Sequence, residues 1–416
     1  MGAVKRSLGA VHKIGWIGGC QTTLVQTWSS STSRAFSTSS RIQNSGDGAE
    51  KSNIAKVERR RTIFSGIQPT GIPHLGNYFG ALQNWVQLQN DAMPGDNLIF
   101  SIVGLHALTM PQDPKVLLRE RSEMMATLLA IGLDPERCTI FHQDQVSQHA
   151  ELAWILNCIT PFGKLNRMTT WKSKIATSRN SGSESDVDES QLSLGLFAYP
   201  VLQAADILLY KATHVPVGED QVQHLELSRD IADIFNRSYK KRFFPAPQHI
   251  ITPTKRVLSL RDPSQKMSKS APNLNSRILI TDTPEEVESK IKRAVTDGER
   301  TLNYDPIHRP GVSNLLSMLS AMAPTVPELI GGVVEKQDPA SLAELINHRF
   351  GGSGSHLKKM VTEAIVETLR PIQAELGRLK SDPGHLDKCQ EMGRSKAAEM
   401  AESTMRQVRK LVGIST

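Results

Sequence analysis

The first 46 residues contain no aspartate or glutamate, although the whole chain carries 42 acidic residues. Lys5, Arg6, Lys13, Arg34 and Arg41 stand there unopposed in a Ser- and Thr-rich stretch, a composition that fits a mitochondrial transit peptide rather than a secretory signal. Setting these five aside leaves 44 of the 49 basic residues against 42 acidic ones, so the pI near 9.2 is mostly a property of the N-terminus. That near balance excludes a uniformly basic nucleic-acid-binding surface, and any RNA contact must use a local patch. Cysteine is scarce: Cys20, Cys138, Cys158 and Cys389 are far apart, with no Cys-X-X-Cys and no zinc spacing. This excludes a disulfide scaffold and a thiolate metal site, and agrees with a reducing compartment. No uninterrupted apolar run approaches the length of a transmembrane helix, so no membrane partner is expected.

At 416 residues the chain is long enough for two domains and a substantial core. From Lys56 onward strand-like and helical patterns alternate. Ile63–Ile67 reads as a strand, and Tyr78, Phe79, Leu82, Trp85, Val86 and Gln89 trace an amphipathic helix. Leu98–Val103 reads as a buried strand, Val116–Ile131 as a helix and Thr139–Phe141 as a third strand. Such alternation predicts an α/β fold, a Rossmann-like parallel sheet with right-handed crossovers and ligands at the carboxyl ends of its strands. Gln148–Lys174 looks helical, residues 178–193 read as a disordered acidic loop, and ordered structure resumes over Gly195–Tyr210 and His214–Phe235. Beyond Pro284 the texture is helical: Glu285–Val295, Ser313–Met322, Leu357–Leu379 and Leu386–Leu411. The expected organisation is a transit peptide and disordered tail over 1–46, a catalytic domain over 60–275 and a helical domain over 276–416. There is no internal repeat.

Three segments carry chemistry. The run Thr62-Ile-Phe-Ser-Gly-Ile-Gln-Pro-Thr-Gly-Ile-Pro-His-Leu-Gly-Asn77 reads as a strand, a turn and a helix opening near Gly76-Asn77. Free backbone N–H groups at that opening can cradle a phosphate, Gln68 and Asn77 offer neutral donors beside it, and Gly66 and Gly76 permit close approach. Lys266-Met-Ser-Lys-Ser270 places two ammonium groups and two hydroxyls on a loop bracketed by Pro and Ser. Gly218-Glu-Asp-Gln221 can offer a carboxylate to ribose hydroxyls. Each alone has a structural reading: a glycine turn, a solvated basic loop, a helix cap. Asp206, with apolar residues on both sides, would need a partner if buried.

Together the first two segments resemble the two signatures of class I aminoacyl-tRNA synthetases, with His74-Leu-Gly-Asn77 and Lys266-Met-Ser-Lys-Ser270 in their places. Gly195–Tyr210 followed by His214–Gln221 is similar to the amino-acid-binding core of the tryptophanyl and tyrosyl subclass. Ser65–Gly71, His74–Ala81 and the Asn314-Leu-Leu region lean toward the tryptophanyl enzymes. The resemblance runs from about Thr62 to the C-terminus, broken only at the acidic loop. It implies that Asp206 accepts from the indole N–H of tryptophan, with Tyr199, Phe64, Gly66, His106, Val215, Val217 and Gln221 around the ring. Indole is a donor only, so a buried acceptor is the one polar handle that tells it from phenylalanine. The resemblance further implies an ATP site made of Gln68, Pro69, His74, Gly76, Asn77, Gly218, Glu219, Asp220, Val257, Lys266, Met267, Ser268, Lys269 and Ser270. Lys266, Lys269, Gln68 and Lys174 are its candidate catalytic groups. Gly104, Thr170 and Ala271 depart from residues frequent in relatives. The expectation is an enzyme that joins tryptophan to tRNA(Trp) in the mitochondrial matrix as a homodimer. ATP would bring Mg2+, with no metal caged by the protein, and the helical half would read the anticodon. Tyrosine specificity on the same scaffold is one rival, and a synthetase-derived RNA-binding protein without catalysis is another.

Overall fold

Short runs of β-branched and aromatic residues form five strands in one sheet. They are β1 (Thr62–Ile67), β2 (Asn97–Ile102), β3 (Thr139–His142), β4 (His214–Val217) and β5 (Gln248–Ile251). Their order is β3-β2-β1-β4-β5 and every pairing is parallel. The structure, a computed structural model, describes residues 60–168, 192–218, 221–251, 256–269, 271–322 and 338–416. The expected transit peptide and nearly all of the acidic loop lie outside these residues.

β1 pairs with β2 along its whole length, from Thr62 with Asn97 to Ile67 with Ile102. Its pairing with β4 is confined to Ile63 with His214. The chain leaves β1 toward β2 on one side and returns to β4 on the other, so the direction of winding reverses between β1 and β4. Open α/β sheets bind ligands at that point. Both faces of the sheet are buried, as parallel sheets require: Leu98, Phe100 and Ile102 of β2 join one apolar cluster and Ile99 the other. Trp85, on the helix Gln83–Asn90, stacks on Phe100 with centroids 4.7 Å apart. On the opposite face Phe64 and Phe141 join the cluster that holds the apolar side of the helix Leu194–Leu209.

Some boundaries differ from the sequence reading. The helix expected over Gln148–Lys174 runs from Gln148 to Ile159 and stops where Thr160 turns extended before Pro161. A short helix, Phe162–Asn166, follows, and residues beyond Met168 are outside the described ones. β5 and the helix Pro339–Phe350 were not expected. β5 has only four residues, Gln-His-Ile-Ile, too few for a period to emerge.

The C-terminal helices Pro284–Lys292, Pro310–Met322, Pro339–Phe350, Gly354–Ser381 and Pro383–Val412 pack among themselves and onto the sheet. Three of them open with a side-chain cap followed by proline: Thr283-Pro284, Asp338-Pro339 and Asp382-Pro383. Gly393 in the last helix lies so close to Ile140 of β3 that no Cβ fits between them. Arg409 of the same helix pairs with Glu151 at 2.7 Å, which fastens it to the helix Gln148–Ile159. Among the described residues no helix is long and apolar enough to cross a membrane.

Candidate active site

A cavity of about 600 Å3 opens at the carboxyl ends of β1 and β4, where the topology places a ligand. β1 and the turn after it contribute Phe64, Gly66 and Gln68, and β4 with its following turn contributes Val215, Val217, Gly218 and Gln221. The helix Leu194–Leu209 turns Tyr199 and Asp206 into the cavity, and His106 enters from the helix Gly104–Ala107. All eight residues assigned to the amino acid therefore meet in one space, with Gln68 and Gly218 of the ATP set beside them. Gly80 and Ala81 also face it, from a π-helical turn (Tyr78–Leu82), a geometry that recurs at functional sites.

Asp206 is 1 % exposed and fully supplied with donors. Its Oδ2 receives His106 Nε2 at 2.8 Å, its Oδ1 receives His149 Nδ1 at 2.7 Å, and Gln143 Nε2 donates to both oxygens at 2.7 and 2.8 Å. Burial pushes its pKa up, but the hydrogen bonds from His106 and His149 outweigh that and hold it down at about 2. His149 Nε2 meets the Tyr210 hydroxyl at 2.8 Å. With Nδ1–H given to Asp206, Nε2 is left for the hydrogen bond with Tyr210. A carboxylate has about four acceptor positions, and Asp206 already fills them. A further donor entering the cavity would have to displace one of these, and His106 is the one that lines the cavity.

Gln143, His149 and Tyr210 were not singled out in the sequence. Gln143 carried a usable signal, since it directly follows a buried strand at its carboxyl end; His149 gave none. On the opposite wall Tyr199 Oη lies 3.3 Å from His224 Nε2, and His224 Nδ1 lies 3.0 Å from Gln221 Oε1. His224 was likewise missed.

The expected phosphate-binding mouth is partly occupied by the protein itself. The helix opens at Leu75, capped by His74: Asn77 N donates to His74 Nδ1 at 3.3 Å, and His74 N donates to Asn77 Oδ1 at 3.2 Å. Leu75 N is taken by Ile278 O at 2.9 Å. Burial, then the charges of Lys269, Arg277 and Lys266, lower the His74 pKa to about 4, so the ring is a neutral acceptor among cations. Gly66 and Gly76 are required by close packing within the protein: a Cβ at either would stand 2.9 Å from Val103 Cγ1 or from His74 Cε1.

Lys269 reaches back to the Gln68–Gly71 turn, donating to Thr70 O at 2.6 Å and Gly71 O at 2.9 Å. Burial lowers its pKa to about 8, against the pull of Glu120. A second opening of about 400 Å3 is bordered by Gly71, Lys269, Arg277 and Glu120. The same turn thus lines the first cavity with Gln68 and the second with Gly71. Met267 and Val257 are buried and joined by Met267 N to Val257 O at 3.1 Å, which anchors the loop, while Lys266 is exposed and Ser268 half-buried. Pro69 is buried in the turn. Lys174, Glu219, Asp220 and Ser270 lie outside the described residues. Among the described residues no three His, Cys, Asp or Glu side chains gather to hold a metal ion.

Comparison with known proteins agrees with this geometry. Residues 56–370 match the family of tRNA synthetases class I (W and Y). The mitochondrial tryptophan–tRNA ligase of Saccharomyces cerevisiae is 42% identical over 368 residues, 87% of this chain and 93% of the relative. That of Schizosaccharomyces pombe is also 42% identical, over 88% of this chain and 99% of the relative. Among solved structures, tryptophanyl-tRNA synthetase from Mycoplasma pneumoniae superposes with a TM-score of 0.73 at 31% identity, covering 86% of this chain and 98% of that one. The Campylobacter jejuni synthetase complexed with ADP and tryptophan gives 0.67 at 28% identity, over 85% and 99%. On this match, joined to the parallel sheet and the cavity at its switch point, the chain belongs to the class I tRNA synthetases of the W and Y group.

Proposed function

We propose that this chain is a tryptophan–tRNA ligase of mitochondrial translation. The observation that carries the reading is the cavity itself: aromatic and branched apolar walls with one buried carboxylate at its polar end suit a large ring bearing a single N–H. The tryptophan carboxylate attacks the α-phosphate of ATP, the bond to the β-phosphate breaks, and pyrophosphate departs. The 3′-terminal ribose of tRNA(Trp) then takes the tryptophanyl group and releases AMP. Little covalent chemistry falls to the protein, so positioning and electrostatics carry the rate. Gln68 stands where the two substrates meet, and Lys266 and Lys269 stabilise charge on the leaving pyrophosphate. The Gly218–Gln221 segment takes the nucleoside, and magnesium arrives on the phosphates of ATP. Residues 276–416 are the anticodon-reading part. Pyrophosphate exchange measured with each of the twenty amino acids tests the substrate: tryptophan alone should support it, and a stronger signal with tyrosine would overturn the assignment.

The mitochondrial matrix is the proposed compartment, supported by the acid-free N-terminus and the two mitochondrial relatives. Deleting residues 1–46 should leave aminoacylation in vitro intact and abolish import into isolated mitochondria; unchanged import would defeat the transit-peptide reading. The proposed homodimer is supported by three large apolar side chains at the surface, Trp154 at 71%, Phe162 at 70% and Leu194 at 79% exposure, on helices that pack together. Trp154→Asp should shift the sedimentation coefficient from dimer to monomer. A wild-type monomer at micromolar concentration would refute the dimer.

A further inference from the structure

Gly104 is a glycine beside a carboxylate that comes from elsewhere in the chain. A Cβ built on it would lie 2.7 Å from Asp144 Oδ2 and 3.1 Å from Asp144 Cγ. Asp144 sits in the 3-10 turn Gln143–Gln145 that follows β3, and its Oδ1 accepts from Arg121 Nη2 at 2.7 Å. This ion pair is partly buried, with Arg121 at 19% and Asp144 at 25% side-chain exposure. Arg121 Nε and the neighbouring His142 Nδ1 are buried without a hydrogen-bond partner, so Asp144 is the group that secures the guanidinium.

What the turn holds is the polar end of the cavity. Gln143 is fully buried and bridges two helices: its Oε1 accepts from Leu105 N at 3.0 Å while its Nε2 donates to both oxygens of Asp206. His106, next to Leu105, donates to the same carboxylate. A small displacement of the turn therefore moves His106 and Asp206 relative to each other.

We infer that Asp144 is a positioning residue for the amino-acid pocket: its carboxylate, packed over Gly104 and paired with Arg121, fixes the Gln143 turn that sets His106 against Asp206. A carboxylate attached at position 104 would occupy the same volume. Two carboxylates do not fit there together, because they would collide and repel.

This rests on the cavity being the tryptophan site. The test transposes the carboxylate, comparing the parent with Asp144→Asn, Gly104→Asp and the double variant Gly104→Asp/Asp144→Ser in tryptophan-dependent pyrophosphate exchange. Each single change should raise KM for tryptophan about tenfold with KM for ATP within about twofold, and the double should return to within about threefold of the parent. A double variant as impaired as the two singles combined would overturn the inference. So would Asp144→Asn, which keeps the side chain's size and should fold, if it left KM for tryptophan unchanged or moved both constants alike. A parent without tryptophan-dependent exchange would instead sink the pocket assignment, and the inference with it.

Discussion

Replacing Lys269 by alanine is expected to lower the rate of tryptophan activation by about two to three orders of magnitude, with the dissociation constant for tryptophan within about threefold of wild type. The Lys269 side chain is half-buried, with its ammonium bound to the carbonyls of Thr70 and Gly71, and it lies outside the cavity assigned to the amino acid. It can therefore act on departing phosphate without touching the indole. Its lowered pKa gives this role a pH signature. A lysine is charged below its pKa, so at pH 7 the free enzyme carries the ammonium, and kcat/KM for ATP should fall as pH rises through about 8. Lys269→Arg keeps its charge throughout that range and should lose the alkaline fall, even if the longer fork fits the carbonyls less well. Lys266→Ala should also slow activation more than it weakens tryptophan binding. Equal losses in rate and tryptophan affinity would mean that these lysines only bind, and an alkaline fall that survives Lys269→Arg would assign the titration to another group.

The contrast between Asp206 and its partners shows what one sequence reveals. Strands β1, β2 and β3 and the long C-terminal helices were legible because their apolar residues recur with a period that local geometry imposes. Asp206 was legible for a related reason, since a carboxylate inside an apolar helix needs donors wherever it goes. Which donors it finds was not legible. His106 is 100 residues away, Gln143 is 63 and His149 is 57, and only the adjacent ends of β2 and β3 together with the helix Gln148–Ile159 bring them to Asp206. Position 269 was readable as part of a signature, but its docking on carbonyls 198 and 199 residues earlier was not. The helix mouth at Leu75 is the opposite case. There Asn77, read as a donor beside an open helix N-terminus, bonds His74 in a capping box, a local pairing their spacing of three allows.

Asp206 itself should show the largest effect on substrate choice. Asp206→Ala removes a carboxylate that receives three side-chain donors and leaves His106, Gln143 and His149 facing an empty space, which should cost about 3–5 kcal/mol of stability. The lost charged acceptor for the ligand should separately weaken tryptophan binding by about a hundredfold. Asp206→Asn keeps the shape but turns an amide donor toward groups that already donate, so it should lose nearly as much. On the proposed assignment the discrimination rests on an acceptor that phenylalanine does not use. The preference for tryptophan over phenylalanine should therefore collapse in both variants, while ATP binding through Gln68 and the Gly218–Gln221 segment persists. Because the network is buried, thermal unfolding belongs beside the kinetics, and Tyr210→Phe, which removes only the hydroxyl behind His149, should give a milder loss in the same direction. Exchange rates with tryptophan, tyrosine and phenylalanine decide the matter: a folded Asp206 variant that keeps full tryptophan preference would show that specificity is set by the aromatic walls and not by this carboxylate.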